Sequence, residues 1–322
     1  MSSKRCVAFV IGCAAAVAAL PAWSQNYPSR PIRIVVGFQP GGGVDISARA
    51  IAQKLSDPLG QSVVVDNRPG ASGNIAAELV AKAQPDGYTF LMSNSTIAIP
   101  SLFVKLPFDV KHDLAPLSLV AMGPSVLVAH PSMPVKDVKS LIALAKAKPN
   151  DVIYGSGGTG NITHLEMALF NYMSATRMTH VPYKGGAPSV VGLLSGEVQV
   201  LFTSIPSILP QIQAGKVRAL AVSTAKRNTA LPNVPTVSEA GIPGYDAASW
   251  YALFAPAGVS KDILNRVSRE VVKVMTVPDV RQRFAGDGFE PVGNTPDEFR
   301  KFIDDEIPKW EKVVKIAGIK PQ

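Results

Sequence analysis

Beyond residue 24 the chain has no cysteine; its two, Cys6 and Cys13, both lie before that point. Residues 25–322 therefore have no route to a disulfide, a thiolate metal site or a cysteine nucleophile. Histidine is nearly as scarce. The four present, His112, His130, His164 and His180, show no paired ligand spacing, which argues against zinc. Acidic residues are outnumbered 24 to 32 by Lys and Arg, for a formal charge of +8, but the basic residues are scattered and form no run. That pattern excludes a nucleic-acid patch and leaves a weak field favourable to anions. No G-x-x-x-x-G-K-[ST] phosphate loop or G-x-S-x-G nucleophile elbow occurs, and there is no low-complexity tract or short-period repeat.

The chain opens with a leader. Lys4 and Arg5 form a basic start, Val7 to Leu20 is uncharged and mostly apolar, and Ala22-Trp23-Ser24 supplies small residues at a cleavage site. The apolar run is shorter than the roughly 20 residues of a membrane span. Val10-Ile11-Gly12-Cys13 loosely resembles a lipoprotein box, but the core before it is too short. The expectation is export to the periplasm with cleavage after about Ser24. The rest, 25–322, is long enough for about two domains and a sizeable core.

Strand and helix signals alternate. Ile32-Arg33-Ile34-Val35-Val36 is β-branched, and Val44, Ala48, Ile51, Leu55 and Leu59 follow at helical spacing. Val63-Val64-Val65 and Tyr88 to Met92 read as further strands, with a helix from about Ile75 to Ala83 between them. Residues 118–129 read as strands crossing into a second unit. A helix is expected from Val138 to Ala147, then strands at 152–154, 178–181, 198–202 and 217–223. "SWYALFAPAG" reads as a strand returning to the first unit. Helices near 261–275 and 296–315 carry one-sided apolar stripes for core packing. This rhythm specifies an α/β fold, each unit a sheet flanked by helices.

Two glycine-rich stretches stand out: "GFQPGGGVD" at 37–45 and "YGSGGTGNITH" at 154–164. Each follows a strand and precedes a helix, early in its unit. Ligands of open α/β sheets bind beyond the carboxyl ends of the strands. A helix N-terminus offers unpaired N–H groups and about half a positive charge, and glycine allows close approach. Two such turns facing one cleft would suit an anion.

Other readings of these residues are open. Gly155 to Gly160 also fits G-x-G-x-x-G, but the acid expected about 20 residues later is missing. Asp45 reads equally as a helix-capping residue or as part of a site. Thr163 and Glu166 read as a capping box. His164 is as well explained by neutral packing as by ligand contact. Phe38 and Tyr183 could line a cleft, with packing the simpler role. Ser93-Asn94-Ser95 and Thr203-Ser204 end strands, where hydroxyls contact ligand or close turns.

Many ordered segments carry a resemblance: "YPSRPIRIVVGFQPGGGVDISAR", "VVVDNRPGASGNIAAELVAKAQPDGYTFLM", "YGSGGTGNITHLE", "VPYKGGAPSVVGLLSGEVQVLF", "GKVRALAVST", "LPNVPTVSEAGIPGY" and "SWYALFAPAG". The chain resembles the Bug-type extracytoplasmic solute receptors, the binding components of tripartite tricarboxylate transporters. The resemblance implies a two-lobed periplasmic-binding-protein fold, type II-like, with a hinge. Lobe 1 would comprise 25–124 and 247–322, and lobe 2 would comprise 125–246. It implies a small organic carboxylate held, partly through ordered waters, by Phe38, Gln39, Gly41, Gly42, Gly43 and Asp45 from one lobe. Ser156, Gly158, Thr159, Gly160, Asn161 and His164 would grip it from the other, with Ser93, Asn94 and Ser95 at the border. Tyr183 and Thr203 complete the candidate set. Two positions depart from the family pattern. Thr203 stands where an Asp is common, which disfavours an amino-acid ligand, and Ala168 stands where a Glu is common, with Glu166 displaced by two positions.

The expected function is therefore a monomeric periplasmic receptor without metal or cofactor, delivering a carboxylate to a membrane permease or reporting to a signalling partner. A secreted enzyme on the same scaffold is the alternative, disfavoured by the lack of a nucleophile–base pair. An interaction protein with a vestigial cleft is a third.

Overall fold

The computed structural model describes residues 27–99 and 106–316. The expected leader, residues 1–24, lies outside them. No described helix is long and apolar enough to cross a membrane.

The chain begins β1 (Ile32–Val36), α1 (Gly43–Leu59), β2 (Val63–Asn67), α2 (Asn74–Ala81) and β3 (Thr89–Asn94). A long strand follows, β4 (Leu114–Ala129), then α3 (Val138–Ala147), β5 (Ile153–Ser156), α4 (Ile162–Ser174), β6 (Thr179–Pro182) and α5 (Gly186–Leu194). Next come β7 (Val200–Ser204), α6 (Ile205–Gln213), β8 (Arg218–Val222), β9 (Ala248–Pro256), α7 (Lys261–Thr276), α8 (Pro278–Gly286), β10 (Glu290–Pro291) and α9 (Pro296–Ile316).

The expected α/β class is observed, with mixed sheets. In one sheet β1 pairs in parallel with β2 and β3, and β9 runs antiparallel between β3 and β4. In the other, β5 pairs in parallel with β6 and β7, while β7 and β8 run antiparallel to β4. β4 belongs to both. Its first eleven residues run along β9 and its last five along β7 and β8. The sequence suggests several strands at 118–129; the chain makes one strand of 16 residues, with register shifts near Pro116 and Leu119 absorbing the bend between sheets.

Helices cover both faces of each sheet, so the inner parallel strands are apolar nearly throughout. Val44, Ile51 and Leu55 of α1 pack with Val267 and Val271 of α7 on one face of the first sheet. Ala76 and Val80 of α2 and Phe299 of α9 cover the other. On the second sheet, α3 and α4 bury Leu141, Leu165 and Phe170, and α5 and α6 bury Leu193 and Ile208. α9 departs from the expectation that all of 247–322 lies on lobe 1. Its Phe299 and Ile303 pack on the first sheet, but Trp310 joins Tyr154 and Phe202 in the second core. The stripe of a 21-residue helix is long enough to serve both.

Candidate functional site

The parallel strands all deliver their carboxyl ends to one region. β1 runs into the turn before α1, β5 into the turn before α4, β6 into Gly185, and β7 directly into α6. Between them lies a cavity of about 40 Å³. Six expected residues line it: Phe38, Gly42, Gly43, Asn94, Asn161 and Thr203. So do Val44, Gly157, Ile162, Thr163 and Ser204, from the two turns and the strand end singled out in the sequence, and Ser125, Gly186, Ser249 and Tyr251, which the sequence reading did not place there. No charged side chain is among them.

The two glycine turns do converge, but they contribute differently. In the first, the N–H groups of Gly43 and Val44 donate to no group among the described residues. In the second, most amides already have partners, and only the Thr159 N–H donates to no group among the described residues. Gly157 N–H donates to Thr163 Oγ1 at 2.9 Å, Gly158 N–H to Ser156 Oγ at 3.1 Å and Gly160 N–H to His164 Nδ1 at 3.2 Å. Ile162 N–H donates to Thr96 Oγ1 at 3.2 Å, and Thr163 N–H to Asn161 Oδ1 at 3.0 Å. A ligand gripped by these same amides would have to displace those side-chain acceptors.

A third glycine pair offers a further free amide. Gly185 and Gly186 lead β6 into α5, and the Gly186 N–H has no acceptor among the described residues. Gly185 has φ +124°, and a Cβ there would stand 3.4 Å from Gln39 N; one on Gly186 would stand 4.0 Å from Gly42 Cα. The N-termini of α1 and α5 thus face each other from opposite sheets. The signal was legible: "YKGGAPS" repeats the strand–glycine–helix pattern of the other two turns.

The remaining expected residues stand behind the cavity. Asp45 is buried and knots the first turn. It accepts from Gly41 N–H at 3.0 Å, Asn67 Nδ2 at 2.9 Å and Arg49 Nε at 3.0 Å. Burial alone would raise its pKa, but these bonds prevail and hold the carboxyl below its usual range. Gln39 and Gly41 belong to this turn without lining the cavity. Ser93 is buried, and Ser95 Oγ sits 3.2 Å from Ser249 Oγ, whose residue does line it.

Ser156 and His164 serve an aromatic stack. Ser156 Oγ meets His180 Nε2 at 2.6 Å, and the rings of His164 and His180 stack at 4.1 Å, with Tyr154 4.9 Å beyond. Burial lowers the His164 pKa to about 4; burial and then the neighbouring His164 lower that of His180 to about 3. Both rings are neutral at pH 7, and His164 Nδ1 is an acceptor, already used. Gly158 and Thr159 contact the other sheet instead: Ser72 Oγ donates to Thr159 O at 2.7 Å. Gly160 holds φ +72°. Tyr183 packs on α5, where a Cβ on Gly192 would collide with its ring, and burial pushes its pKa up to about 12.

The expected capping box is absent. Asn161 caps α4, and Glu166, one turn in, is fully buried with neither carboxyl oxygen hydrogen-bonded. Among the described residues no three His, Cys, Asp or Glu side chains cluster to hold a metal.

Comparison with known proteins places this arrangement. A family model described as the tripartite tricarboxylate transporter family receptor matches residues 47–319. Protein BugT of Bordetella pertussis (strain Tohama I) is 39% identical over 324 residues, covering 99% of each chain. The structure of R. palustris Rpa4515 with adipate shares 39% identity at TM-score 0.90, covering 92% of this chain and all of that one. MatC of Rhodopseudomonas palustris with bound malate shares 30% at TM-score 0.85, covering 89% and 100%. The two-lobed periplasmic-binding-protein fold expected from the sequence is thereby confirmed, and the chain belongs to the tripartite tricarboxylate transporter receptor family.

Proposed function

We propose that this protein captures a small organic carboxylate between its lobes in the periplasm and hands it to a membrane permease of the tripartite tricarboxylate type or to a signalling partner. The lobes are 25–124 with most of 247–322, and 125–246; α9 straps the two. The observation that carries the reading is the meeting of two helix N-termini, with unpartnered N–H groups, at a cavity without a charged side chain. Opposed dipoles of like polarity repel one another across an unoccupied gap and favour an anion within it.

The donors suffice. The amides of Gly43, Val44 and Gly186 are joined by Thr203 Oγ1, which is buried and unpartnered. Hydrogen bonds to a charged group are worth about 1.5–3 kcal/mol each, so four give roughly 6–12 kcal/mol gross. Micromolar affinity needs about 8 net. The cavity of about 40 Å³ matches one carboxylate head or a bridging water. A longer body, such as the adipate or malate of the two solved relatives, requires the lobes to part further.

A thermal-shift screen against citrate, malate, adipate and benzoate tests the reading. A ligand at 100 times its Kd is expected to add about 2.7 kcal/mol of stability. Absence of any shift across the panel, with calorimetry also silent, overturns it.

A further inference from the structure

We propose that anion capture by this protein is proton-linked, with Glu166 the group that keeps the proton. The inference rests on the carboxylate reading above and adds a coupled step: Glu166–COO⁻, a proton and R–COO⁻ combine to give Glu166–COOH beside bound R–COO⁻.

The geometry begins on α4. Glu166 lies three residues after Thr163 and four after Ile162, on the same helix face, and both of those residues line the cavity. Its side chain is completely buried and neither carboxyl oxygen is hydrogen-bonded. Such an unsatisfied buried group demands an explanation.

The groups acting on the carboxyl are the hydroxyls of Ser125 and Ser223. Ser223 gives its one hydroxyl proton to Ala247 O at 2.6 Å and accepts from Ser125 N–H at 3.0 Å. Toward Glu166 it can only accept, so its match is the O–H of a carboxylic acid. Ser125 both acts on the Glu166 carboxyl and forms a wall of the cavity. The titratable neighbours on other elements do not offer a positive charge. Tyr245 donates to the Glu166 backbone carbonyl at 2.9 Å, Tyr251 of β9 is neutral, and Glu306 of α9 is held by the indoles of Trp250 and Trp310. His164, on α4 itself, is neutral. Burial lifts the Glu166 pKa to about 8, and with the Ser223 proton committed to Ala247 O only the Ser125 hydroxyl can oppose the rise by donating.

An ionised Glu166 would place a second negative charge close behind the bound carboxylate, in a space too small for screening water. The bound state must therefore hold the proton more tightly than the free one. By linkage, anion affinity then falls as pH rises above the free-state value.

Calorimetric titration with citrate, malate, adipate and benzoate, in two buffers of different ionisation enthalpy at pH 6 and pH 9, tests this. The wild type is expected to take up almost no proton at pH 6 and close to one per ligand at pH 9, with affinity reduced up to tenfold. Glu166→Gln is expected to show neither the uptake nor the loss. An infrared difference spectrum of the wild type at pH 9 is expected to gain a protonated-carboxyl band on binding, which keeps the test valid if the variant does not fold. Binding without uptake or band at pH 9, or equal uptake by Glu166→Gln, overturns the proton linkage and leaves the carboxylate reading intact. Silence from the whole panel at both pH values overturns the reading, and the linkage with it.

Discussion

Gly43 occupies the tightest point of the site. A Cβ there would stand 2.8 Å from both Ser204 Oγ and Tyr251 Oη. Gly43→Ala should therefore press on Ser204 across the cavity and on Tyr251 within the first core. Carboxylate affinity is expected to fall at least tenfold, about 1.4 kcal/mol, by calorimetry, with a smaller loss in the stability of the free protein. An unchanged affinity would show that the contact relaxes freely. Gly160, which the sequence marks equally, is a poorer probe, because its φ of +72° makes any side chain a strain on the turn itself. The buried titratable groups give stability two opposed slopes. His164 and His180 have depressed values, so their neutral burial stabilises the fold above about pH 6.5 and is lost as pH falls through about 4 and then 3. Glu166 has a raised value, so its contribution is complete below about pH 4.5 and is lost as pH rises through about 8. Urea unfolding of the ligand-free protein is expected to show His180→Phe flattening the acid limb and Glu166→Gln the alkaline one.

Among the elements, α9 holds the least obvious role. Glu306 Oε2 accepts from Trp250 Nε1 and Trp310 Nε1, both at 3.0 Å. Trp250 belongs to the core around the first sheet, Trp310 to that around the second. Glu306→Ala leaves two buried indole donors unpaired, each costing about 1–3 kcal/mol. A drop of several degrees in Tm is expected, and none would mean that water replaces the carboxylate. The contrast between elements also shows what sequence periodicity can carry. β1, α1, α3 and α7 were legible because each has one partner face and a pattern that declares it. β4 was not, because a strand shared by two sheets, interrupted by Pro116, Gly123 and Pro124, reads as fragments. α5 and α6 were missed because their prolines and glycines look like loop residues. In fact Pro206 sits in the first turn of α6, where it is well tolerated.

For the molecule as a whole, the contacts between Ser72 and Thr159 and between Thr96 and Ile162 tie opposite lobes across the cavity. If ligand enters between the lobes as proposed, these contacts break on entry. A Cβ on Gly158 would lie 3.8 Å from Ser72 Cβ, within disulfide range. The absence of cysteine from 25–322 makes a clean test possible. Ser72→Cys with Gly158→Cys is expected to bind carboxylate far more slowly when oxidised and to recover on reduction. Comparing the two redox forms of one variant cancels the strain at Gly158, whose φ is +130°. Equal association rates in both forms would show that no opening is needed.

The sequence by itself determined the alternation of strands and helices, the class of fold and the presence of glycine turns at strand ends, because these depend on local periodicity and backbone freedom. Tertiary structure decided which amides stay free. Asn161, Thr163 and His164 lie within a few residues of the second turn, yet whether they consume its N–H groups depends on side-chain rotamers set by packing. Likewise Ser125, Ser249 and Tyr251 reach the cavity only because β4 crosses between the sheets with β9 paired beside it, and Glu166 became a buried acid because α4 turns that face toward β4. Long-range contacts of this kind leave no mark on the local pattern from which a chain is read.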